Sequence, residues 1–230
     1  MKIIAIIPAR GGSKSILRKN IKNLCGRPLV SYTIDAAIKS KKFDRIILST
    51  DDKEIREYAI NNGIEAPFLR PEKLAKDNSS TVSAIQHAVE WLESNEEYYP
   101  DIITTLQPTS PLRNFTHISE ALSIYTHDKN ADSLLSVCEI PHTMSPLSAM
   151  KLDSNNYLID FMEQQEPIFR RQDKPIFYSR NGAICITSRQ LLNNRLFGGK
   201  TLFYLMSNKN SYDIDTESDW KEIEKIMKKK

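Results

Sequence analysis

Residues 2–14 read KIIAIIPARGGSK, and this stretch decides the fold. Lys2 to Pro8 is a short, nearly all-apolar run rich in Ile, the pattern of a strand buried on both faces in the middle of a parallel sheet. Ala9 to Asn23 follows as a loop rich in Gly and Lys. Pro28 then opens a helical pattern through Lys39, with Leu29, Tyr32, Ile34 and Ala37 on its inner face. A buried strand, a glycine-bearing loop and a helix make one half of a βαβ unit.

Working outward, the same logic repeats. Arg45 to Thr50 reads as a strand with Asp51 and Asp52 at its carboxyl end, and Asp52 is placed to cap a helix running to Asn62. Glu65 to Leu69 is a candidate short strand. Ser79-Ser80-Thr81 caps a long helix in which Val82, Ile85, Val89 and Leu92 recur at helical spacing. Ile102 to Leu106 is the next buried strand, followed by a helix over 115–126 and a strand over 133–138. From Glu139 to about Tyr178 the periodicity fails and Pro, Asn, Asp and Gln are frequent, so this segment is expected to leave the sheet as a hairpin arm. Strands over 183–187 and 201–206 and a helix over 216–229 close the chain. Alternation of this kind predicts one α/β domain over 1–230 with a doubly wound, mainly parallel sheet, and ligands gathered at the carboxyl ends of its strands.

Composition fits that reading. Of 230 residues, 40% are hydrophobic and 27% charged, enough to bury roughly 70% of the unfolded surface without a disulfide or metal staple. Net charge is only +3, with basic residues scattered, which argues against a nucleic-acid or membrane partner. Cys25, Cys138 and Cys185 stand far apart in an odd set, as expected for a chain in a reducing cytoplasm.

The loop after the first strand carries the chemistry. Gly11 and Gly12 let successive backbone N–H groups turn toward one anion, and Arg10, Lys14 and Lys19 add fixed positive charge. Such a loop suits a triphosphate. It is neither a Walker A loop nor a dinucleotide fingerprint, so ATPase and dehydrogenase readings lose their support. Near the other end, Asp213-Ile214-Asp215 in an extended backbone would aim both carboxylates one way and Ile214 into the core. Two carboxylates on one edge suit Mg²⁺, although by spacing alone Asp215 also serves as a cap for the last helix.

Six blocks in register resemble one family: IIPARGGSK…RKN at residues 6–20, STDD at 49–52, LRPEKLAKDNSST at 69–81, LQPTSPLR at 106–113, RNGAI at 180–184 and DIDTESD at 213–219. Together they are similar to the sugar-acid cytidylyltransferases, the Rossmann-like nucleotidyltransferases that include the CMP-N-acetylneuraminate (sialate) and CMP-N,N'-diacetyllegionaminate synthetases. The resemblance implies joining of CMP from CTP to the anomeric hydroxyl of a nonulosonic acid, with release of pyrophosphate and Mg²⁺ as cofactor. It implies catalytic roles for Arg10, Lys14 and Lys19, and nucleotide contacts from Arg10, Gly12, Ser13, Lys14, Asn20, Arg70, Ser79 and Thr81. Gln107, Arg171 and Asn181 would meet the sugar acid, and Asp213 and Asp215 the metal. It further implies a homodimer in which the arm over about 139–178 crosses to the partner's site. Departures fall on the sugar side: Ser179 stands where the sialate enzymes tend to carry Arg, Arg180 follows one position later, and Cys185 replaces a Tyr. A decayed, non-catalytic scaffold on the same fold is disfavoured, because such a site should lose Lys14, Asp213 and Asp215 first.

Overall fold

The computed structural model describes residues 1–162 and 175–229. Strand β1 (Ile3–Pro8) leads through a small hairpin, β2 (Asn23–Leu24) and β3 (Arg27–Pro28), into α1 (Leu29–Ser40). β4 (Arg45–Ser49), α2 (Lys53–Asn61), α3 (Thr81–Glu96), β5 (Ile102–Thr105), α4 (Phe115–His127) and β6 (Ser133–Glu139) follow. The arm carries a second hairpin, β7 (Met150–Leu152) and β8 (Leu158–Asp160). The chain then returns as β9 (Tyr178–Ser188), α5 (Arg189–Leu192), β10 (Thr201–Leu205) and α6 (Glu217–Lys228).

The central sheet has the order β10-β6-β9-β5-β1-β4. β1 pairs in parallel with β4 and β5, and β10 with β6, whereas β9 runs antiparallel between β5 and β6. The mainly parallel sheet expected from the sequence is therefore present, with one reversed strand. Alternation in β1 sends Ala5 and Ile7 to one face, where α1, α2 and α4 pack, and Ile4 and Ile6 to the other, against Ile85, Val89 and Leu92 of α3. Helices on both faces bury both sides of the strand, which is why it reads as a continuous apolar run. A third apolar cluster joins Ile16 of the β1–α1 loop to Ile214 and to Trp220 and Ile223 of α6. It ties the two ends of the chain together under the site.

Three details depart from the sequence reading. Residues 65–69 form a single parallel bridge, Ile47 to Glu65, in place of a strand; Pro67 has no N–H to continue the ladder. β9 begins at Tyr178, five residues before the apolar run, because its first residues are exposed and polar. Its pairing with β6 slips as well: Leu135 faces Cys185, but Val137 faces Arg180. Residues 181–184 therefore bulge from the strand, with Gly182 at a φ of +70°. Finally, Thr216 caps α6, in a reciprocal capping box with Asp219. Asp215 is thereby left out of the cap.

Candidate active site

The carboxyl ends of β1 and β5 open onto a cleft of about 510 Å³. Arg10, Ser13, Lys14, Lys19 and Asn20 line one wall, Arg70, Ser79 and Thr81 a second, and Gln107, Asp213 and Asp215 the far end. Eleven sequence-predicted positions, drawn from four separate blocks, thus meet at one place. A second cleft of about 550 Å³ adjoins it and holds Asn181 and Arg180. The two share Thr81, Gln107, Gly182 and Asp213, so Asp213 stands at their junction.

The two glycines of the loop differ. Gly12 does not line the cleft, and a Cβ there would meet nothing within 4 Å. Gly11 is the constrained glycine, for a different reason than turning: its Cβ would lie 2.8 Å from Asp52 Cβ, and its N–H already donates to Asp51 Oδ1 at 2.9 Å. Neither glycine adopts a positive φ. The loop is latched by the STDD block, since Arg18 also reaches Asp52 Oδ2 at 2.8 Å while Asp52 caps α2. Asp51 and Asp52 thus place the cations of the loop, a role the sequence reading did not give them. Arg171 lies outside the described residues, as does its neighbour Arg170.

The remaining residues divide between holding and facing. Asn20 is buried and its Nδ2 donates to the Arg10 carbonyl at 2.8 Å, bracing the loop on itself. Lys19 Nζ donates to the Ile214 carbonyl at 2.6 Å and lies 3.6 Å from Asp215 Oδ1, which bridges the loop after β1 to the acidic segment. Arg70 is nearly buried; its Nε and Nη2 donate to Ser49, and burial brings its guanidinium down to about 10. Ser80 caps α3, so Ser79 and Thr81 flank a helix start that also forms a cleft wall.

The expected geometry of the acidic segment is present. Ile214 is fully buried while Asp213 and Asp215 both face the cleft, and the Ile214 N–H donates to the Thr109 carbonyl at 2.9 Å. Burial raises the Asp213 carboxyl above the usual range, opposed by a hydrogen bond with Thr109, and the charge of Asp215 adds to the rise. Two repelling carboxylates, one of them partly desolvated, are a donor set that a hard divalent cation would relieve. Among the described residues no group of three or more acidic, His or Cys side chains could hold a metal. The pair thus suits an ion that completes its shell with phosphate oxygens and water, as Mg²⁺ does.

Sequence reasoning missed Arg113, the last residue of the LQPTSPLR block. It is fully buried; its Nη1 donates to the carbonyls of Gln107 (2.9 Å) and Ala183 (2.7 Å), and its Nη2 to Thr33 Oγ1. Burial pushes it down to about 9. It therefore clamps the turn carrying Gln107 to the bulge carrying Asn181 and Gly182. Asn181 is itself fixed, accepting from Ser136 Oγ at 2.6 Å and donating to Ser211 Oγ at 2.9 Å. One wall of the second cleft is apolar, formed by Leu135, Ile184, Cys185, Leu196 and Phe197, and the Arg180 guanidinium lies 4.9 Å from the Phe197 ring centre. Burial raises the Cys185 thiol to about 11, so it is a neutral wall group.

Comparison with known proteins agrees with this geometry. A family model described as cytidylyltransferase matches residues 4–230. The chain is 35% identical over 230 residues to the CMP-N,N'-diacetyllegionaminic acid synthase of Legionella pneumophila, covering 99% of this chain and 97% of that protein. It is 34% identical to the N-acylneuraminate cytidylyltransferase of Escherichia coli, covering all of this chain but 53% of the longer relative. A solved CMP:2-keto-3-deoxy-manno-octonic acid synthetase, in complex with CTP, superposes with a TM-score of 0.73 at 17% identity, over 100% of this chain and 99% of that one, a likeness of fold. The chain belongs to the cytidylyltransferase family.

Proposed function

We propose that the protein transfers CMP from CTP to the anomeric hydroxyl of an N-acetylneuraminate-like nonulosonic acid, forming the sugar oxygen to α-phosphorus bond, breaking the bond between the α-phosphorus and the pyrophosphate oxygen, and releasing the hydroxyl proton to solvent. The observation that carries this reading is the meeting of two unlike clefts at Asp213: one cationic and suited to a triphosphate, the other largely uncharged and suited to a sugar. Such chemistry asks for positioning and charge neutralisation more than for a protein nucleophile. Arg10 and Lys14 would take the departing pyrophosphate charge, and Arg70, with the wall at Ser79 and Thr81, would recognise the base. Gln107 and Asn181 would orient the sugar acid, with Arg180 offering a cation for its carboxylate. Asp213 and Asp215 would hold Mg²⁺, which when bound lowers the charge on phosphate oxygens and eases deprotonation of the attacking hydroxyl.

A second reading, an N,N'-diacetylated acid of the legionaminate kind, is favoured by the apolar wall at Leu135, Ile184, Cys185 and Phe197, where acetyl methyl groups would be buried. The partner is a second copy of the chain. In support, the arm and the neighbouring sheet edge expose Leu152, Leu158, Phe161, Phe203 and Leu205, each at least half accessible, the kind of apolar surface that an interface covers. Among the described residues no helix is long and apolar enough to cross a membrane, and the cytoplasm is the proposed site of action. Pyrophosphate release with CTP and Mg²⁺ over a panel of sugar acids tests the reaction. Turnover with a nonulosonic acid but not with a shorter sugar acid supports it, and silence with every acid refutes it.

A further inference from the structure

Asp77 lines the first cleft and touches two of its cations at once. Its Oδ1 lies 3.0 Å from Arg10 Nη1 and its Oδ2 2.9 Å from Lys14 Nζ. The two cations hold its carboxyl below the usual range, the hydrogen bond from Lys14 contributing most. Arg10 Nη1 also reaches the Ala75 carbonyl at 3.5 Å, so the segment over 75–77 is drawn onto the phosphate loop. The cleft walls carry five cationic residues against three carboxylates, and the other two acids, Asp213 and Asp215, stand with Lys19 at the far end. Among the described residues, then, Asp77 is the carboxylate that forms ion pairs with Arg10 and Lys14.

Resting on the reading of the cleft as a CTP site, we propose that Asp77 is a displaceable internal anion: it holds Arg10 and Lys14, yields them to the outer phosphates of a nucleoside triphosphate, and takes them back as pyrophosphate leaves. The exposure of the groups makes the exchange feasible. Lys14 is 85% accessible, Asp77 44% and Arg10 34%, so the ion pairs sit in water and are weak. A tail with several phosphate charges outcompetes one carboxylate, whereas a nucleoside monophosphate, lacking the outer phosphates, does not engage these cations. The device therefore adds selectivity for the triphosphate and limits retention of pyrophosphate.

Titration calorimetry with Mg²⁺ against CTP, pyrophosphate and CMP, on wild type, Asp77→Asn and Asp77→Glu, tests this. Removing the competing charge should tighten pyrophosphate and CTP about threefold to fivefold in Asp77→Asn, the effect of losing an exposed ion pair, with CMP unchanged and Asp77→Glu close to wild type. Unchanged or weaker pyrophosphate binding in Asp77→Asn overturns the inference, as does equal tightening of CMP. Wild-type protein that binds no CTP overturns the reading of the cleft itself, so the two failures are separable.

Discussion

The two clefts share Asp213 but are assembled in opposite ways. The first cleft is built largely from charge-bearing loops, Arg10 to Asn20 after β1 and Arg70 to Ser80 before α3. The second cleft is built from residues of β6 and β9 and from Leu196 and Phe197, with Arg180 and Asp213 as its charged lining residues. The contrast teaches that phosphate recognition uses groups that must be charged wherever the chain places them. Sugar recognition, on the proposed reading, would use the shape of an apolar wall. A change of one residue should therefore abolish chemistry on the first side and shift preference on the second.

The largest effect is expected at Lys14. Lys14→Ala should lower kcat by about 10²–10³, the scale for removing one group that stabilises developing charge. Because Lys14 is largely exposed, its melting temperature should match wild type. Thermal melts alongside steady-state kinetics check both halves. Next, Asp213→Asn should abolish turnover or raise the Mg²⁺ concentration needed for half-maximal rate, and an unchanged Mg²⁺ titration would refute metal ligation. A smaller loss, about tenfold in kcat with the KM for CTP nearly constant, is expected for Arg113→Lys, since loss of the fork misplaces the two substrates relative to each other. A fall in KM affinity without loss of kcat would show that Arg113 serves only one cleft.

How much of this was legible follows the same division. The β1 strand was readable because burial on both faces leaves an unbroken apolar run, and the loop cations because charge beside glycine is distinctive. Asp213 and Asp215 were readable as a pair because extended backbone alternates and Ile214 marks the inward face. Asp77 was not, since in sequence it is one acid within a polar stretch and only folding lays it against Arg10 and Lys14. The wall of the second cleft was invisible for the opposite reason: Leu135 and Ile184 look like any core residues until the bulge at residues 181–184 opens space beside them. Nor could the reversed direction of β9 be read, because a buried strand carries the same pattern whichever way it runs.

The smallest expected effect sharpens the sugar side. Cys185→Tyr should reduce kcat/KM for a diacetylated acid relative to a monoacetylated one by about tenfold, the worth of a small group in a fitted apolar pocket. Competition assays with both acids read the ratio directly. Equal losses for the two acids would mean that the wall does not discriminate between them.

The central claim is that the cleft at the end of β1 holds the nucleotide tail and its neighbour holds the sugar. A crystal structure with CTP and Mg²⁺ bound tests it most directly. The outer phosphates should lie on Arg10 and Lys14, the base against Arg70 and Ser79, and the metal on Asp213 and Asp215. Nucleotide lodged instead against Arg180 and Phe197 would contradict it.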